Sequence, residues 1–141
     1  ISALLAVAGN TQHFGYHLKQ HRTAEISAPV YIGNDVTICE CTQIGPNVII
    51  EDGCYIDTET TLSHCYIAAN TYVGKNIDVM HKLVVATTIY DAKLECLNTI
   101  QDPWIISTTS NHSKQQTLQE PQKSGWFAQL CQLIFKIFSC E

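Results

Sequence analysis

The chain has 141 residues, of which 45% are hydrophobic and 15% charged, with a net charge of −5. That length allows one domain with a modest core plus extensions. Ala24 to Ser107 holds eleven Asp or Glu against three Lys or Arg; an acidic stretch without a basic stripe argues against nucleic acid as a partner, and no apolar run reaches membrane-spanning length.

Ile1 to Ala8 is apolar but short and has no basic n-region, so it is not read as a signal peptide. The first residue is not Met, which suggests a fragment or a tag remnant. Thr11 to Arg22 predicts a short helix, with Thr11 as N-cap and Phe14, His17, Leu18 and His21 at helical spacing. Residues 1–23 thus form an N-terminal segment whose helix is placed to cap the domain. His13, His17 and His21 would share one face of that helix, as a zinc site requires, but no carboxylate motif accompanies them. A plain helix surface is the preferred reading, and no metal is assigned.

From Ile26 the sequence repeats every six residues. Ile26, Ile32, Ile38, Ile44, Ile50, Ile56 and Leu62 are evenly spaced, one unit is a residue short, and Ile67 and Val73 resume the count. A second track two residues ahead is small or β-branched: Ala24, Val30, Val36, Thr42, Val48, Cys54, Thr60, Cys65 and Thr71. Fixed short periods mark β-solenoids. Three units make one triangular coil, with both tracks inward. The expected stacks are Ile26–Ile44–Leu62, Ile32–Ile50–Ile67 and Ile38–Ile56–Val73. Asp35, Asn47, Gly53, Asn70 and Asn76 fall at corners, where positive φ is needed. Pro29 departs from that pattern in the first unit.

After Val79 the register fades. Two or three strands of an irregular meander, ending near Pro103, should cover the last coil. Residues 108–125 are polar and read as a linker. In 126–141, Trp126, Phe127, Leu130, Leu133, Ile134, Ile137 and Phe138 keep a helical stripe. With one Lys and no Arg, the amphipathic helix is expected to pack on protein rather than on a membrane surface.

The repeat resembles the left-handed parallel β-helix of the hexapeptide-repeat superfamily. The fold class is therefore all-β: a left-handed parallel β-helix of about three coils over 24–107, with a capping helix and a C-terminal amphipathic helix. The order of elements is similar to the C-terminal β-helix domain of nucleotide-sugar pyrophosphorylases. That resemblance implies a non-catalytic binding and oligomerisation domain. No GxGTR-type loop is present, so the chain alone is not expected to transfer a nucleotidyl group. The trimeric hexapeptide acyltransferases share the repeat. They imply the alternative, a small acyl-CoA-dependent acyltransferase with a His base at a subunit interface.

His64, in the shortened unit LSHCY, is the first candidate base, with Asp57 or Glu59 to orient it. His81, just past the last regular coil, is the second. A solvated corner histidine is the plainer reading of each. No cofactor is expected, or a coenzyme A thioester under the alternative. The expected partner is a second or third copy of the chain, dimer or trimer, through solenoid faces and the C-terminal helix. The seven cysteines form no CxxC pair. Cys54 and Cys65 are expected in the core and Cys39 outward, and free thiols suggest a cytoplasmic protein.

Overall fold

The computed structural model describes residues 12–91 and 93–110. Within them, sixteen strands wind through three sheets. The first coil is β1 (Gln12–Phe14), β2 (Lys19–Gln20) and β3 (Glu25–Ile26). The second is β4 (Val30–Ile32), β5 (Thr37–Ile38) and β6 (Gln43–Ile44). The third is β7 (Val48–Ile50), β8 (Tyr55–Ile56) and β9 (Thr61–Ser63), and the fourth is β10 (Cys65–Ile67), β11 (Thr71–Val73) and β12 (Asp78–Met80). Successive strands of one face pair in parallel, so the domain is a parallel β-solenoid of about four turns.

The coil count exceeds the expected three because the repeat starts earlier. The helix expected over Thr11–Arg22 is not formed: Gln12–Phe14 and Lys19–Gln20 are strands of the first coil. Phe14 pairs with Ile32 and Gln20 with Ile38, so both occupy the aliphatic register. The helical spacing has a physical origin in the solenoid itself. An inward aliphatic and the small inward residue of the next unit lie four apart, as Phe14 and Leu18 do. That interval also fits one face of a helix.

The three inward stacks form as expected. Ile26 pairs with Ile44 and Ile44 with Leu62; Ile32 with Ile50 and Ile50 with Ile67; Ile38 with Ile56 and Ile56 with Val73. Every member except Ile26 is buried, in one continuous core that includes Cys54 and Cys65. The corner residues agree as well: Asp35, Asn47, Gly53, Asn70 and Asn76 all have φ between 53° and 69°. At the corner after face A (the β1–β4–β7–β10 side), side chains cap the backbone of the neighbouring coil. Asn34 Oδ1 accepts from the Tyr16 N–H at 2.8 Å, and Asp52 Oδ1 accepts from the Asn34 N–H at 2.7 Å.

Past Val79 the register does not end but shortens by one residue, and β13 (Lys82–Val85) lies on β10 as a fifth layer of face A. Strands β14 (Thr88–Asp91) and β15 (Cys96–Thr99) then add antiparallel, forming the expected meander. A last strand, β16 (Ile106–Thr108), runs antiparallel to β11 at the end of face B, the β2–β5–β8–β11 side. The helix over 126–141, the linker from residue 111 onward and the apolar start of the chain lie outside the described residues.

Candidate functional site

Two features of the solenoid stand apart from its scaffold. One is the corner between face C (β3–β6–β9–β12) and face A. In the upper coils the aliphatics Leu62 and Ile67 are five residues apart, and so are Val79 and Val84. Each shortened unit turns its corner on a histidine in the left-handed region: His64 at φ 48° and His81 at φ 55°. Histidine is among the non-glycine residues that tolerate this region. The His64 N–H donates to Pro46 O at 2.9 Å, and the His81 N–H donates to Ser63 O at 3.2 Å, so the corners stack coil on coil.

That stacking brings the two sequence-predicted histidines together. Their ring centroids are 4.8 Å apart with an interplanar angle of 29°. His64 Nδ1 and Ser63 Oγ are both enclosed without a hydrogen-bond partner. Neither proposed orienting carboxylate stands here. Asp57 accepts from the Tyr72 hydroxyl at 2.8 Å and from the Thr58 N–H at 2.7 Å, and Glu59 forms the corner between faces B and C.

The charged neighbours are instead Lys82, Asp91 and Lys93. Lys82 Nζ donates to Asp91 Oδ2 in a buried ion pair. Asp91 Oδ1 also accepts the Lys93 and Leu94 N–H groups, at 2.9 and 3.1 Å. Burial works against the Asp91 carboxylate, but these bonds outweigh it and hold its pKa below the usual carboxylate range. The His81 imidazole is pushed below its ordinary value, first by desolvation, then by the charges of Lys93 and His64. The signal that pairs the histidines was present in the chain. Aligning the two five-residue steps, LSHCYI on VMHKLV, sets His64 on His81.

The other described histidines do not converge. His13 stacks on Tyr31 at 4.6 Å between centroids, His17 meets Asp35 at 3.2 Å, and His21 Nδ1 lies 2.8 Å from Thr23 Oγ1. They sit on a strand and two corners rather than on one helix face. Among the described residues, no three His, Cys, Asp or Glu side chains gather as a metal would need. Cys39 is half-buried, and its thiol donates to the Tyr55 hydroxyl at 3.3 Å. Burial, the larger influence, raises its pKa and works against a reactive thiolate.

The second feature is the outer surface of face A. Each three-residue strand points one side chain outward, so a face is described by one row. On the coils, face A presents His13, Tyr31, Ile49 and Tyr66 in register; Leu83, Tyr90 and Leu97 continue the row onto the cap. Tyr31 is 40% exposed and Leu97 67%. The equivalent row on face C is Glu25, Gln43, Thr61 and Asp78; on face B it is Lys19, Thr37, Tyr55, Tyr72 and Ser107, which has no carboxylate but opens on a lysine and is less apolar. Face A therefore carries an uncharged, largely apolar row on an acidic solenoid. Sequence reading missed it, because the outward position obeys no single residue type; only the register lines it up.

No protein-family model matches the chain, and no curated protein matches it in sequence.

Proposed function

We propose that the chain is a non-catalytic β-solenoid module that binds and assembles through face A, joining copies of itself into a homo-oligomer. The six-residue repeat is the ground for reading it as a hexapeptide-repeat left-handed β-helix, in the manner of the C-terminal domain of nucleotide-sugar pyrophosphorylases. The observation that carries the reading is the uncharged row from His13 to Leu97. Two acidic solenoids repel least where the facing rows carry no charge. The face B row also lacks carboxylates but includes Lys19, whereas the face A row is uncharged, with Glu51 at its edge engaged by the Tyr66 hydroxyl. Seven strands make this face about 30 Å long. With three to four residues per strand it is about 10–13 Å wide and offers roughly 300–400 Å², about half of what a standard interface uses on each side, so the contact it makes is of the small, weak class. Light scattering tests the idea. A dimer or trimer at micromolar concentration that Ile49→Lys converts to monomer supports it, whereas a monomer throughout refutes it. Free thiols at the described cysteines suit a cytoplasmic setting.

A second reading is favoured by the enclosed His64 Nδ1 and the stacked His81. In it the chain is an acyltransferase, with His64 taking a proton from an acceptor hydroxyl or amine and a coenzyme A thioester as donor. Calorimetry with coenzyme A decides. Binding, together with acyl transfer lost in His64→Asn, would establish it; no heat of binding would remove it.

A further inference from the structure

We propose that the stacked pair His64–His81 is a proton-sensitive latch on face A: neutral, the two rings close the C-to-A corner of the upper coils; both protonated, they part and free β13 with the cap strands behind it. This regulatory role rests on the reading of face A as the assembly surface.

Several observations converge on it. The rings stand 4.8 Å apart in consecutive coils, close enough for two charges there to repel even at a partly exposed site. The groups packed around them are mostly cationic. Lys82 is the residue after His81, and Lys93 acts on His81 from the turn after β14. The carboxylate acting on His81, Asp91, is already engaged by Lys82 and by the Lys93 and Leu94 N–H groups. It has little left to neutralise a second imidazolium. His64 Nδ1 and Ser63 Oγ gain water when the corner opens, so opening removes a cost instead of adding one. Two of the three lysines between Ala24 and Ser107, and both of its histidines, meet at this corner. Histidine is the side chain whose ordinary titration falls near neutral pH.

The link to face A is covalent and short. His81 leads straight into β13, which carries Leu83 outward, and β13 supports Tyr90 and Leu97 through the β14 and β15 pairings. Loosening the latch removes three of the seven positions of the row.

The experiment takes the full chain from about pH 7.5 to about pH 5.5. It reads mass by light scattering and hydrogen exchange, corrected for intrinsic rates, at β13 and β14, with β7 as internal reference. Wild type is expected to lose protection at β13–β14 but not at β7, and to dissociate. His81→Asn, which keeps a residue suited to positive φ, is expected to hold both. His13→Gln runs in parallel, because His13 lies on face A itself and would charge the row directly. Equal pH responses of wild type and His81→Asn would overturn the latch, as would dissociation abolished only by His13→Gln. Acid loss of β13–β14 protection in a chain monomeric at every pH would instead overturn the assembly reading and leave the latch standing.

Discussion

Lys82 and Asp91 face each other across the β13–β14 ladder and form an ion pair in which each residue keeps only 7% of its surface exposed. Lys82 continues the inward small track above Cys65, a slot that holds Val or Cys in the second to fourth coils on face A and Gln12 at the open first one. A lysine there ends the repeat, since a further coil would have to bury its charge unpaired. The hairpin brings Asp91 to it, and the meander covers the core in place of another turn.

Removing one partner leaves a buried charge. Asp91→Ala is expected to destabilise the domain by about 3–5 kcal/mol, and the double change Lys82→Met with Asp91→Leu to recover most of that loss. Urea unfolding of the three proteins checks it. The pH dependence has a definite sign. Because the folded Asp91 pKa is lowered, its contribution is present above the ordinary carboxylate range and is lost as pH falls through the lowered value. Asp91→Ala should therefore flatten the acid limb of the stability curve.

The parts of the fold legible in the sequence are those set by steric slots. Ile32, Ile50 and Ile67 had to be aliphatic to stack, and Asp35, Asn47 and Asn70 had to tolerate positive φ. The first coil escaped because Gln20 fills an aliphatic slot, where its Nε2 donates to Ala24 O at 3.2 Å, while Phe14 and Leu18 mimic a helical step. The His64–His81 contact was hidden because it depends on two equal deletions seventeen residues apart. Lys82 and Asp91 escaped for a different reason: a buried ion pair depends on the hairpin register, which short-range periodicity does not encode.

Close packing between coils should make Gly33 intolerant of a side chain. Its φ is not in the left-handed region, so the restriction is spatial. A Cβ there would meet Asp52 Oδ1 and, at 2.8 Å, the Asp52 backbone nitrogen. Gly33→Ala is expected to cost about 1–3 kcal/mol, as overpacking does. Differential scanning calorimetry reads it, and a melting temperature unchanged from wild type would contradict the close approach.

The central aliphatic stack should respond as a close-packed core. Ile50 is fully buried between Ile32 and Ile67. Ile50→Ala is expected to lose about 2–5 kcal/mol and Ile50→Val about 0.5–1.5. Val supplies the β-branch, so most of the difference is the methyl groups lost and the space they leave. Chemical denaturation of both variants gives the ratio.

The five described cysteines should separate cleanly by reactivity. Cys41 is exposed at a positive-φ corner, whereas Cys54 and Cys65 are inside the coils. Burial pushes the Cys54 thiol up to about 11 and the Cys65 thiol up to about 12, so neither holds a thiolate near neutral pH. Cys54 is further occupied, its thiol lying 3.1 Å from Ala68 O. Alkylation of the native protein and then peptide mass spectrometry should therefore label Cys41 first. Cys54 and Cys65 should be labelled only as fast as the coils open. Their labelling rates should fall together with added stability and rise together in Ile50→Ala, because all three side chains share one core. Rapid native labelling of Cys65 independent of such variants would mean that the inward track at β10 opens to solvent, contrary to the packing described.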